Sequence, residues 1–341
     1  MLRASRMAVL ALTVAVLIAL AGIVATRDEL RLAERPSPPP PPLPVAEDTR
    51  LLIFAPHPDD EVIAAGGLIQ QAREAGGTVR VVYLTSGDSY TASVRAEQHV
   101  ARPRGADYRA YGHQREDEAR AALRALGVGA WSLTFLGFPN GGLDRLMSTY
   151  WSELRSPYRS PYTRLHRPAR AESFILDTEY RGEDLSQEIA EIIGDFKPTI
   201  MLVPRPEDQH ADHCATWFFV ADALGDVTRV HPRFQTDLIN YIVHYYSWGF
   251  EDDDDAFLKP PADLDPGVSG WLIVPLSDRE VDTKREALHQ FKSQMRIMGW
   301  FLNGFARRNE VFSRPEPPHV TLPISHSVCD DLEEKRHRHG H

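Results

Sequence analysis

Two short stretches concentrate side chains able to hold a metal ion and move protons. They are Ala55-Pro56-His57-Pro58-Asp59-Asp60-Glu61 and Pro204-Arg205-Pro206-Glu207-Asp208-Gln209-His210-Ala211-Asp212-His213. A neutral imidazole and a carboxylate three positions on, His57 and Asp60, can share one divalent ion from a tight turn, with Pro58 limiting the conformations between them. Asp59 then lies beside the ion without needing to bind it, where a carboxylate can act as general base on a water. The plainer alternative makes Asp59 or Asp60 an N-cap and leaves His57 solvated. In the second stretch His210 and His213 face the same side of a helical turn. His213 can therefore complete a His-Asp-His set while His210 stays within reach of a substrate carbonyl. Three protein ligands leave one coordination position open, which separates a hydrolytic zinc from a closed structural one. Asp212 could orient an imidazole, as carboxylates behind metal ligands do. A surface histidine pair without function is the competing explanation for this stretch taken alone.

The elements around these stretches determine whether they can meet. Leu51 to Ala55 reads as a strand, Glu61 to Ala75 as a helix stopped by Gly76-Gly77, and Val79 to Leu84 as a second strand, a βαβ opening. A helix around Arg115 to Leu126, a strand at Ser132 to Leu136, a helix at Leu185 to Phe196 and an apolar strand at Thr199 to Val203 follow. Leu238 to Tyr246 and Gly270 to Pro275 read as further strands, and Asp278 to Phe301 as one long amphipathic helix. The alternation predicts an α/β fold with a mostly parallel, Rossmann-like sheet covered by helices on both faces. Both chemical stretches follow predicted strands at their carboxyl ends, where ligands bind in such sheets. Asp88 to Gly112 reads as polar and irregular, and Leu143 to Glu172 is rich in Tyr, Arg, Ser and Pro. Both exceed ordinary connections and are candidate walls of a substrate cleft, or simple solvated loops. Tyr150, Trp151, Tyr158 and Tyr162 could stack on sugar faces or form the insertion's own small core.

With these residues in view, the chain resembles the LmbE-like, or PIG-L, de-N-acetylases over roughly Arg50 to Ser313. The likeness lies in His57-Pro58-Asp59-Asp60-Glu61 and Thr85-Ser86-Gly87-Asp88, in Arg115 and Glu118 heading a helix that ends in Leu126-Gly127, and in Gly137 to Gly142. It returns in the His-x-x-His pair and in Lys284, Ala287, Ser293 and Gln294. The resemblance implies a Rossmann-like deacetylase fold in which His57, Asp60 and His213 bind zinc and Asp59 is the general base. It further implies that His210, as imidazolium, stabilises an oxyanion. Arg115 looks like a substrate-side residue of that family, although an ion pair with Glu118 on the helix surface is an equal alternative. Asn140 stands where relatives commonly carry Asp, a substrate-side position without the charge. Ala211 replaces the family's usual Pro between the paired histidines.

Composition narrows the partners. A formal charge of -10 over 341 residues argues against nucleic-acid binding, which needs a basic face. Met7 to Ala25 is an uncharged apolar run preceded by Arg3 and Arg6, long enough to cross a bilayer, and no clean cleavage site precedes Thr26. The expected organisation is therefore a signal anchor at 1–26, a proline-rich spacer at 27–48, a deacetylase domain at 49–315 and a flexible tail at 316–341. The tail's His337, His339 and His341 could bind metal or be merely solvated. The basic start predicts an N-terminus inside, and a catalytic domain facing the envelope, periplasm or lumen. If the segment were cleaved, the domain would be secreted. Cys214 and Cys329 permit one disulfide in an oxidising compartment, and their positions alone cannot say whether they meet.

The expected activity is zinc-dependent removal of an N-acetyl group from an amino sugar in a cell-surface glycan, glycolipid or glycoside, with Asp59 activating a zinc-bound water. His and carboxylate ligands also suit other divalent ions. The rivals are an amidase acting on another N-acyl group, such as a thiol conjugate, and a silent glycan-binding protein. The sequence leaves the oligomeric state open.

Overall fold

The computed structural model describes residues 43–169, 174–246, 248–249, 257–267, 270–315, 320–326 and 328–329. The expected anchor, most of the spacer and the His-containing tail lie outside the described residues. Among the described residues no helix is long and apolar enough to cross a membrane.

The chain runs β1 (Arg50–Ala55), α1 (Asp60–Glu74), β2 (Thr78–Thr85), α2 (Thr91–Glu97), α3 (Gly105–Ala125), β3 (Leu133–Phe138) and α4 (Leu143–Leu146). It continues with α5 (Gly182–Phe196), β4 (Ile200–Pro204), α6 (Ala211–Val230), β5 (Asp237–Tyr241), β6 (Trp271–Pro275), α7 (Asp278–Leu288), α8 (Lys292–Gly304) and β7 (Asn309–Ser313). One seven-stranded sheet has the order β3-β2-β1-β4-β5-β7-β6. The first five strands in that order are parallel, and β7 pairs antiparallel with both β5 and β6.

Both faces of the sheet are dry because successive side chains of a strand point to opposite faces. In β1, Leu51, Ile53 and Ala55 enter one core with α1, α3, α7 and α8, while Leu52 and Phe54 enter a second with α5 and α6. In β4, Ile200 and Leu202 divide from Met201 and Val203 in the same way. Strands covered on both sides read as continuous apolar runs, which is why β1, β2 and β4 stand out in the sequence.

Four expectations are corrected. The supposedly irregular Asp88 to Gly112 contains α2 and the first turns of α3, whose start is fixed by the Asp107 carboxylate accepting from Arg104 N at 2.7 Å. The helix expected over Asp278 to Phe301 is two helices, separated at His289 to Phe291. The fifth strand ends at Tyr241 instead of Tyr246. The seventh, Asn309–Ser313, was not expected at all.

That strand carries a charge into the core. Glu310 is buried against Lys284 at 2.7 Å, and its two oxygens accept from Gly67 N at 2.7 Å and Leu68 N at 2.8 Å. These amides lie just beyond Ala65, where the helical dihedrals of α1 break (φ -140°, ψ 20°). The carboxylate thus takes up donors near a kink in the helix that begins at Asp60. Removing only one charge of such a pair strands the other in a dry site. Lys284→Met should cost about 3–5 kcal/mol in urea unfolding, and adding Glu310→Gln, which removes the stranded charge and keeps one of the two acceptors, should recover part of it. Equal stability of wild type and the single variant would show that the pair contributes nothing.

Candidate metal centre

Strand order reverses between β1 and β4, which lie side by side with their first helices on opposite faces of the sheet. This is the switch point at which open α/β sheets bind ligands, beyond the carboxyl ends of the strands. The turn after β1 carries His57, Asp59 and Asp60, and the turn after β4 carries His210, Asp212 and His213.

The two turns meet around one point. His57 Nδ1 is 3.3 Å from Asp60 Oδ2, His213 Nε2 is 3.1 Å from the same oxygen, and the two ring nitrogens are 3.3 Å apart. Ligands bound at 2.0–2.1 Å to one tetrahedral ion stand about 3.4 Å from each other. The triangle therefore has the size of three corners of a tetrahedron, and the donor chemistry suits a divalent zinc-like ion.

Each imidazole is held from behind by a carboxylate. His57 Nε2 lies 3.1 Å from Asp212 Oδ2, which keeps the proton on Nε2 and turns the Nδ1 lone pair into the triangle. Asp212 also accepts from Gly141 N at 2.7 Å and Leu143 N at 3.2 Å. His213 Nδ1 lies 3.2 Å from Asp208 Oδ2, a contact of charge without hydrogen-bond alignment. Asp208 in turn accepts from Val243 N, His244 N and His210 N.

Asp59 stands at the head of α1 with φ 123°, outside ordinary backbone conformations, and its side chain makes no capping bond. Its carboxylate pairs instead with Arg115 Nη2 at 2.9 Å, while its own N–H donates to Glu61 Oε2 at 3.1 Å. The N-cap explanation of Asp59 therefore fails. Arg115 also donates to Gly87 O at 2.8 Å and to Pro58 O, so its guanidinium is turned inward and spans the turn. Its partner is Asp59; Glu118 accepts from Ser293 N and Oγ. Gly87 (φ 63°) is obligatory here, because a Cβ would fall 1.9 Å from Arg115 Nη1.

Burial pushes Asp59 up to about 7, with Arg115 pulling the other way and Asp60 adding to the rise. Burial also opposes charge on His213, but Asp208 and Asp60 outweigh it and raise that imidazole to about 10. His57 is raised for the same reason, by Asp212 and Asp60. Burial and the neighbouring His57 hold His210 well below its usual value, so it is neutral. Its Nδ1 accepts from Asp212 N at 3.2 Å, which leaves the proton on Nε2. In the metal-free site His210 is thus a neutral imidazole with one N–H to give. Three buried carboxylates, Asp59, Asp208 and Asp212, flank the triangle that Asp60 helps to form, and Arg115 is paired with the first of them. The site calls for added positive charge, and it raises two imidazoles to obtain it.

Sequence reasoning missed two participants. Asp208 was read only as part of its stretch. His244, three residues beyond β5, stacks on Phe301 (5.5 Å, 6°), and its donor atoms lie within 4.8 Å of those of Asp60 and His213. Its position past the carboxyl end of a central strand was the available signal, hidden by reading the strand through to Tyr246. Asn140 is buried beside Gly141, in the loop that holds Asp212.

Residues 52–224 match the family described as PIG-L, GlcNAc-PI de-N-acetylase. The chain belongs to this family. Over 188 residues it is 31% identical to a 1D-myo-inositol 2-acetamido-2-deoxy-alpha-D-glucopyranoside deacetylase of Mycobacterium sp. (strain KMS), covering 54% of this chain and 53% of the relative. The chain thus spans about half the length of the curated relatives it matches. Solved structures similar to it include the N,N'-diacetylchitobiose deacetylase from Pyrococcus horikoshii, with TM-score 0.49, 18% identity, and 80% and 85% of the two chains covered. The antimicrobial reagent A40926 pseudoaglycone deacetylase gives TM-score 0.48, 20% identity, and 78% and 96% covered.

In the metal-free PIG-L domain a proton on His213 competes with the ion. Because the folded value lies near 10 and the unfolded one near 6.5, this proton stabilises the metal-free fold below about pH 6.5, and the contribution is lost as pH rises toward 10. Metal uptake should release this proton, and any held by His57, so apparent affinity should climb by at least about tenfold per pH unit between about pH 7 and 10. Titration of chelator-treated protein with zinc at several pH values measures this, and a flat affinity would contradict it.

Proposed function

We propose that this protein is a zinc-dependent hydrolase that removes the N-acetyl group of an N-acetylated amino sugar. The observation that carries the reading is the triangle of His57, Asp60 and His213 with Asp59 beside it, in a chain of the PIG-L family. The mycobacterial relative, a deacetylase of an acetamido-sugar inositol glycoside, supports an N-acetyl sugar as substrate.

His57, Asp60 and His213 would hold the ion, with Asp212 and Asp208 fixing the two rings. Bound there, a divalent ion supplies a Lewis acid for the amide carbonyl and makes a neighbouring water more acidic. Asp59, buried and raised toward neutrality, accepts the proton of that water as its oxygen forms the new bond to the carbonyl carbon. Neutral His210 donates its Nε2–H to the oxygen that becomes negative. When the C–N bond breaks, protonated Asp59 returns its proton to the leaving amine, and the products are acetate and the free amino sugar. Arg115 keeps Asp59 from rising further and aims its carboxylate.

The disulfide between Cys214 and Cys329 supports an oxidising compartment, consistent with an extracytoplasmic domain carried by an N-terminal membrane anchor and acting on a surface glycan or glycolipid. A second reading, a small soluble glycoside as substrate, is favoured by the mycobacterial relative, which is a deacetylase of an inositol glycoside. Release of acetate from a panel of N-acetylglucosamine monosaccharides, inositol glycosides and glycolipids tests the proposal and separates the two readings. No release from any of them by protein with bound metal would refute it.

The acid limb of the pH–rate profile should report Asp59. Removing the cation that lowers it raises its value, so Arg115→Met should move that limb upward by about one unit or more and lower the rate at neutral pH. An unmoved limb would remove Asp59 from the role of base.

A further inference from the structure

The long insertion after β3 carries four half-buried aromatic residues, which differ in what their rings cover. Trp151 stacks on Phe219 of α6 at 6.3 Å and covers Gly182, so it belongs to the core. Tyr150 packs against the same core and meets the ring of Tyr158 edge-on at 5.2 Å. Tyr158 packs against that core as well, and Tyr162 against Val94, Tyr108 and Tyr111, but both remain half-exposed and lie over Gly142 and Gly141. A Cβ on Gly142 would fall 2.8 Å from the Tyr158 ring and 3.2 Å from its hydroxyl. One on exposed Gly141 (φ 71°) would sit 3.8 Å from the Tyr162 ring and 3.6 Å from Ser89 Oγ.

This ledge is joined to the metal centre. The N–H of Gly141 donates to Asp212 Oδ2, the oxygen that holds His57 Nε2. It therefore begins two hydrogen bonds from a candidate metal ligand. It is also rigid: Tyr158 N donates to Tyr180 O, Ser160 Oγ accepts from Tyr162 N and Thr163 N, and Thr163 O is held by Arg109 of α3. Tyr162 is braced by Tyr108 at 5.5 Å. Such bracing keeps two amphipathic rings in place at little further entropic cost when a ligand arrives.

We propose that Tyr158, Tyr162 and the glycine floor at Gly141 form the subsite for the pyranose ring that bears the acetamido group. A pyranose offers an apolar face to an aromatic ring and hydroxyls around its edge. Two tyrosine rings, two phenol hydroxyls and the Ser89 hydroxyl beside a side-chain-free floor match both features. The subsite rests on the deacetylase reading, and it goes further in requiring a cyclic sugar where the metal chemistry requires only an amide.

The test uses the full chain loaded with zinc, with methyl 2-acetamido-2-deoxyglucopyranoside and acyclic N-acetylethanolamine as substrates. Tyr158→Leu and Tyr162→Leu should each raise KM for the glycoside roughly five- to tenfold, leave its kcat within about twofold, and leave kcat/KM for the acyclic amide unchanged. Tyr158→Phe, which keeps the ring and serves as the folding control, should lose less than Tyr158→Leu. An unchanged KM in both leucine variants, or equal losses on the two substrates, overturns the subsite. If wild type releases acetate from neither compound, saturation-transfer NMR with the same glycoside decides the subsite separately from the deacetylase reading, which the wider substrate panel tests. Transfer in wild type that is lost in both leucine variants supports it, and no transfer in wild type overturns it.

Discussion

One carboxylate oxygen, Asp60 Oδ2, stands between two imidazoles at 3.3 and 3.1 Å, in a place from which water is nearly absent. Burying a carboxylate costs several kcal/mol unless opposite charge and hydrogen bonds meet it. Asp60 is met by His57 and His213, which hold it well below the usual carboxylate range against the effect of burial. Those rings need partners of their own, Asp212 and Asp208, and these need backbone donors from the Gly141–Leu143 loop and from Val243 and His244. Loops beyond β3, β4 and β5 are thus tied to a charge that follows β1. A divalent ion at the triangle is the natural completion of such an arrangement.

The same network divides labour between adjacent aspartates. Asp60 faces the two rings and is strongly acidic, whereas Asp59, one residue earlier and turned by its positive φ, faces Arg115 and is raised toward neutrality. Two carboxylates in one turn acquire different chemistry through their surroundings, one suited to binding a cation and the other to exchanging protons. Inward-facing Arg115 is what keeps the second within a useful range.

Much of this was legible in the sequence. The central strands declared themselves as apolar runs, and the two chemical stretches followed them at the carboxyl ends, where ligands of such sheets collect. Hidden features shared a physical cause: their meaning came from partners far along the chain. Glu310 looks like a surface residue until Lys284 and the amides of Gly67 and Leu68 are seen around it. His244 looks like a strand residue until β5 stops at Tyr241. Arg115 offered Glu118 three residues away, but its partner was Asp59, reached only once α3 packs beside the first turn. The Cys214–Cys329 pairing joins α6 to residues far beyond the last strand, which no spacing could have indicated.

The most direct test of the account is to measure bound zinc and acetate release together, on one preparation each of wild type, Asp59→Ala and His213→Ala, using an N-acetylglucosamine glycoside that the wild type turns over. The account predicts that Asp59→Ala keeps about one zinc per chain and loses turnover by at least about a hundredfold, while His213→Ala loses both. Normal turnover without Asp59, or full zinc occupancy without His213, would contradict it.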